Sequence, residues 1–112
     1  MPLDAVFQAL ADPTRRALVA RLAEGPAAVA ELAEPFGISQ PAISRHLAVL
    51  ERAGLVAVEI DGSRRPRRLV PAPLIEATAW IDRTRASFEM NFQRLDALLE
   101  SLDDDPPTGD AP

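Results

Sequence analysis

The sequence predicts a mainly α-helical domain that carries one small β-hairpin. Three observations predict it. Apolar residues recur at intervals of three and four over most of the chain, and the run from Leu55 to Ile60 alternates with a period of two before an Asp61-Gly62 turn signal. Glycine or proline marks the joins between these segments. At 112 residues, 47% hydrophobic and 26% charged, the chain fits one globular domain, and with aromatics at only 4% its core must be aliphatic.

The elements follow in order. Leu3, Val6, Phe7 and Leu10 give a short first helix with one apolar face. Asp12 before Pro13 reads as an N-cap followed by proline at the first helical position, and Leu18 and Leu22 carry the second helix to a stop at Gly25-Pro26. A third helix from Ala28 to Phe36 turns Val29, Leu32 and Phe36 inward, with Pro35 making its last turn irregular. After the turn Gly37-Ile38-Ser39, Ser39 caps a fourth helix reaching about Ala53, whose buried stripe is Ile43, Leu47 and Leu50; Gly54 ends it.

A strand over Leu55 to Ile60 returns near Arg67 to Val70, with Pro66 confining that return strand to an edge or an irregular start. A long helix then runs from about Leu74 to Leu102, with Ile81, Phe88, Phe92, Leu95, Leu99 and Leu102 spaced by sevens, fours and threes. At about 1.5 Å per residue it spans roughly 40 Å, more than one small core requires, so part of its face is expected to meet another subunit. Residues 103 to 112 are acidic and patternless and read as a disordered tail, which leaves residues 1 to 102 as the domain.

Composition also excludes. With no cysteine there is no disulfide, thiolate metal site or thiol redox sensor. No apolar run approaches the roughly 18 residues of a membrane span, and the start Met1-Pro2-Leu3-Asp4 lacks signal-peptide order, so a cytoplasmic location and no membrane partner are expected. Ser44 and His46 share a helix without an orienting acid, and no phosphate-cradling loop occurs, so the chain reads as no enzyme and without a cofactor.

The net charge of −5 hides an uneven distribution. Residues 39 to 70 hold six arginines against three acids, whereas residues 71 to 112 hold three against nine. Every basic residue is arginine, whose planar fork suits bidentate contact with phosphate or a guanine edge.

The order helix, helix, helix-turn-helix, hairpin, long helix is that of a winged helix-turn-helix with an added terminal helix. Leu32, Phe36, Ile38 and Ile43 are apolar where its two central helices must face each other, Ala33 is small where they approach, and Gly37 suits a turn needing positive φ; His46 falls where a further apolar residue is expected. With Ile43, Leu47 and Leu50 buried, Arg45 points almost directly outward, and Gln40 and Ser44 lie four apart near the helix start, the end that enters the major groove in this motif. Gln40 can pair with adenine and Arg45 with guanine, while Ser44 suits either. Alone, Gln40 and Ser44 would read as solvated polar residues; their joint placement singles them out. His46 has two readings, a half-buried hydrogen-bonded side chain or a DNA contact.

The hairpin carries Arg64, Arg65, Arg67 and Arg68. Arg64 and Arg65 are assigned to DNA, at phosphate or the minor groove, and only one of the alternating Arg67 and Arg68 can face it. Arg15 and Arg16 are expected to pair with nearby acids rather than phosphate.

The runs ALADPTRRALVARLAEG at residues 9 to 25, ELAEPFGISQPAISRHLAVLERAGLV at 31 to 56 and GSRRPRRLV at 62 to 70 resemble the ArsR/SmtB family of bacterial winged-helix regulators. That resemblance implies a homodimer joined through its first and last helices, with Leu3, Val6, Phe7 and Leu10 as a second apolar surface beside the terminal stripe. It implies a repressor that binds double-stranded DNA, reads bases at Gln40, Ser44 and Arg45, and releases its promoter in response to a signal, with a small-molecule or protein effector of unknown identity; the twofold symmetry of such a dimer makes the expected operator an inverted repeat. Where many members carry a Cys-x-Cys metal site this chain has Ala28-Val29-Ala30, and its last helix has no histidine; Asp82, Glu89 and Asp96 at heptad spacing read as a solvated face. The chain thus resembles the branch without metal sites. The alternative reading is a winged-helix module for protein association, its arginines meeting an acidic partner.

Overall fold

A computed structural model describes residues 3 to 104. Its elements are α1 (Leu3–Ala9), α2 (Pro13–Leu22), α3 (Val29–Ala33), a 3-10 turn (Glu34–Phe36), α4 (Gln40–Arg52), β1 (Val56–Val58), β2 (Arg67–Leu69) and α5 (Ala72–Asp104). The chain divides into two units, one through Thr78 and one from Ala79, taken separately below.

The caps that start α2 and α4 are those the sequence marks. The Asp12 carboxylate accepts the Arg15 backbone N–H at 3.0 Å, with Pro13 next in line, and the Ser39 hydroxyl accepts the Ala42 N–H at 3.3 Å. Each satisfies one of the donors a helix start leaves unpaired. At the end of α4, Gly54 takes φ of 80° while its N–H reaches the Glu51 carbonyl and that of Leu55 reaches Leu50. This left-handed close turns the chain directly into the hairpin.

The core of the first unit draws on every element in it. Val6, Leu18, Leu32, Ile43, Leu47, Leu50 and Leu55 are fully buried, and Ala77 of α5 joins the same cluster. Ala33 is buried where α3 and α4 approach, and Gly37 has φ of 65° in the turn between them. Helix α3 gives way to a 3-10 turn at Pro35, which has no N–H to donate to a continuing helix.

Three expectations about apolar residues change. Val6 is spent entirely on the core, and Leu3, Phe7 and Leu10 pack partly against it, so α1 keeps less free apolar surface than its sequence suggests. Ile38 is 38% exposed, because it stands in the turn ahead of the Ser39 cap rather than between the helices. In the hairpin the alternation of Val56, Val58 and Ile60 does not mean burial of all three: Val56 is in the core, but Ile60 is 78% exposed because the hairpin extends beyond the core.

The hairpin pairs Val56 with Leu69 and Val58 with Arg67 in antiparallel register. Strand β2 is also anchored on its other side, where Ala27 and Arg67 exchange backbone hydrogen bonds of 3.0 and 2.8 Å. The wing is thereby fixed to the segment that leads into α3.

Helix α5 has 33 residues and runs through Asp104, two residues into the segment read as a tail; residues 105 to 112 lie outside the described part, as do Met1 and Pro2. In the second unit, every residue from Trp80 to Leu102 is exposed in the single chain. Phe88 and Phe92 stack with ring centroids 6.3 Å apart, and Leu95, Leu99 and Leu102 continue their stripe. Trp80 and Leu98 are exposed apolar side chains that the heptad reading passed over. No helix among the described residues is long and apolar enough to cross a membrane.

Candidate nucleic-acid interface

Helix α4 presents two faces of opposite character. Ile43, Leu47 and Leu50 are fully buried, while Gln40, Ser44 and Arg45 are exposed. Among the described residues the Arg45 guanidinium has neither a hydrogen bond nor an ion pair. An unpaired guanidinium on a helix gives up no protein partner when it meets an external acceptor, and its planar fork suits a bidentate one. Arg52, one heptad further on, is likewise exposed and unpaired.

His46 is half-buried, with its Nδ1 3.8 Å from the Asp12 carboxylate. It therefore stands where α4 meets the cap of α2, too far from the carboxylate for a hydrogen bond. The Asp12 carboxyl is held below the usual carboxylate range, chiefly because it accepts the Arg15 backbone N–H; partial burial opposes that, and the His46 and Arg15 charges add to it.

Arginines elsewhere take several roles. Arg15 does not pair with an acid: its Nε and Nη2 donate to the Ala9 and Gln8 carbonyls, at 2.6 and 3.1 Å, and Arg16 donates to the Leu10 carbonyl at 2.9 Å. These two side chains close the C-terminal end of α1, satisfying carbonyls that a helix end leaves free. Residue order alone suggested acids; the packing of α2 beside the end of α1 supplies carbonyls instead.

In the wing, Arg67 Nε lies 3.5 Å from Glu51 Oε1 without a hydrogen-bonding alignment, although Arg67 Nη1 donates to the Arg65 carbonyl at 2.7 Å. Arg68 pairs with Glu59 at 3.6 Å. The Arg64 guanidinium is 3.7 Å from Glu31 on α3, and Arg65 folds back onto the carbonyls of Gly62 and Arg64, both at 2.8 Å. Arg65 alone of the four has no acid within ion-pair distance. Sequence reasoning placed these arginines on the wing but missed Glu31, Glu51 and Glu59 as counter-charges; Glu59, just beyond β1 and two residues from the Ala57 that faces Arg68, was the nearest to a local signal.

No group of three or more histidine, aspartate or glutamate side chains among the described residues is placed to hold a metal ion. On α5, Asp82 and Glu89 both lie within ion-pair distance of Arg85, at 3.6 and 3.7 Å. Residues 28 to 30 are alanine, valine and alanine and offer no metal donor side chain.

Residues 10–59 match the helix-turn-helix domain family. The chain is 51% identical over 85 residues to the HTH-type transcriptional regulator Rv2034 of Mycobacterium tuberculosis, covering 74% of this chain and 79% of that protein. It is 42% identical over 52 residues to the transcriptional repressor SdpR of Bacillus subtilis, covering 46% of this chain and 58% of the repressor. Among solved structures it resembles the ArsR family transcriptional regulator RHA00566, with a TM-score of 0.71 at 39% identity over 78% of this chain and 96% of that one.

Proposed function

The chain belongs to the ArsR/SmtB family of winged helix-turn-helix transcriptional regulators, and from that membership we propose that it acts as a homodimeric repressor of an inverted-repeat operator. The family is one of DNA-binding regulators rather than enzymes. The observation that carries the finer reading is the exposed, unpaired Arg45 on the face of α4 opposite the buried Ile43, Leu47 and Leu50 stripe. Gln40, Ser44 and Arg45 read base edges in the major groove; Arg64 and Arg65 contact phosphate or the minor groove from the wing. His46 lies at the margin of this surface, with its Nδ1 toward Asp12 and its other ring nitrogen left for the DNA backbone.

Dimerisation is supported by α5. An apolar stripe running from Phe88 to Leu102, bare in the single chain, is larger than a monomer ordinarily leaves to water. A twofold axis would set two copies of α4 about 34 Å apart, one turn of DNA, which is why the operator is read as an inverted repeat.

The test is selection of genomic fragments by the purified protein followed by footprinting. Protection of a discrete inverted repeat, lost in Arg45→Ala, is the expected result. Uniform, sequence-blind retention, or none, would instead favour association with an acidic protein partner.

A further inference from the structure

The Glu31 carboxylate does two things at once. Its Oε1 accepts the Ala28 backbone N–H at 3.1 Å, tying off the start of α3, and the same oxygen stands 3.7 Å from Arg64 Nη2 on the wing. Both partners are more than half exposed, at 65% and 54% of their side-chain surface. Arg64 is held in place by its backbone, which exchanges hydrogen bonds with Asp61 across the turn, while β2 is anchored to Ala27 just ahead of α3. The docking of the wing therefore brings the two side chains within reach of each other.

We propose that Glu31 is an intramolecular counter-charge for Arg64 which DNA phosphate must displace, so that it lowers affinity for duplex of every sequence and leaves discrimination to α4. This rests on the DNA-binding reading above. An exposed ion pair is weak enough to exchange, and the exchange leaves no orphan, since Glu31 keeps the Ala28 N–H when Arg64 turns to phosphate. Glu31 thus subtracts from binding through a phosphate contact, which carries no sequence information, and not through the base contacts of Gln40, Ser44 and Arg45. Arg67 and Arg68 have acids of their own in Glu51 and Glu59, so removing the charge at position 31 frees Arg64 and no other wing arginine.

Glu31→Gln tests this cleanly, because glutamine keeps an acceptor for the Ala28 N–H at the same helix position. Binding of a random-sequence duplex at low salt should tighten by about two- to fivefold, the range of an exposed pair, and the log–log dependence on salt should steepen by up to about one unit. In an Arg64→Ala background the same substitution should give less than half of that gain. An undiminished gain there would mean that Glu31 repels DNA directly, and would overturn the pairing; so would unchanged or weaker binding by the single variant. A parent that binds no duplex overturns the DNA reading and this inference with it, whereas a parent that binds while Glu31→Gln gains nothing overturns only the role of Glu31.

Discussion

Helix α4 and the wing are both arginine-bearing surfaces, yet their arginines are partnered in opposite ways. On α4 the outward Arg45 is left without a partner, on a helix whose other face is locked by three fully buried side chains. On the wing, Arg64, Arg67 and Arg68 each have a glutamate, from α3, α4 and β1 or its continuation. A base contact must be pre-aimed to discriminate, since bidentate pairing tolerates little misplacement, and so an unpaired, rigidly mounted guanidinium suits it. A phosphate contact needs only charge, and charge that is partly neutralised within the protein limits sequence-blind binding. On the proposed DNA-binding reading, the difference separates specificity from retention.

The largest expected effect tests the premise that two copies of α4 act together. Replacing Phe88 and Phe92 by aspartate should abolish operator binding, although neither residue belongs to α4 or the wing, because the stripe from Phe88 to Leu102 would lose its partner. Light scattering at micromolar concentration beside a binding assay checks it. A folded double variant that still dimerises and binds would detach α5 from the interface.

Next in size is Arg45→Ala. Loss of one bidentate base contact should cost about 1 to 3 kcal/mol of operator affinity and relax the preference at one base pair, with little change in affinity for random DNA. Comparing binding across an operator library reads both. If random and operator DNA weaken equally, Arg45 belongs with the phosphate contacts and the contrast with the wing collapses.

How much of this was legible beforehand depends on the range of the interaction. Asp12 before Pro13, Ser39 before α4, Gly37 and Gly54 announce themselves because a cap or a left-handed turn is a local event, decided within a few residues. The stripe Ile43, Leu47 and Leu50 is legible for the same reason, and with it the outward face that carries Arg45. The counter-charges are not: Glu31 and Arg64 are 33 positions apart and meet only because β2 pairs with Ala27. Arg15 and Arg16 show the same limit, for their carbonyl partners appear only when α2 is packed beside the end of α1. Ile60 shows it in reverse, since strand alternation fixes which side of the hairpin it occupies but not where the core stops.

The wing substitutions should be smaller and of a different kind. Arg64→Ala and Arg65→Ala are each expected to weaken binding to all sequences alike and flatten the log–log salt dependence by up to about one unit. The comparison sharpens further between the two: Arg65 has no acid to leave, so its loss should cost more than that of Arg64, which gives up Glu31 to reach phosphate. Titrations at four or five salt concentrations give the slopes. Slopes equal to the parent's would remove the wing from the phosphate contacts, and a larger loss at Arg64 would contradict its partial neutralisation.

The smallest effect concerns the joint between the two helices rather than either DNA surface. Asp12 caps α2 and faces His46, the residue next to Arg45, and its carboxyl titrates below the ordinary range chiefly because the charged form accepts the Arg15 N–H. A depressed folded-state value means the folded protein holds the ionised form more strongly than the unfolded chain does. The stabilisation is therefore complete above the unfolded carboxylate range and is lost as pH falls through the lower folded value. Asp12→Asn keeps a good capping side chain but removes the charge. The variant should be slightly less stable than the parent at pH 7, by an amount that stays constant down to about pH 5 and shrinks toward zero in stronger acid. Urea unfolding of both proteins across that range measures the difference. A gap that persists undiminished at the acid end would show that the asparagine loses geometry rather than charge, and that Asp12 steadies α4 by shape alone.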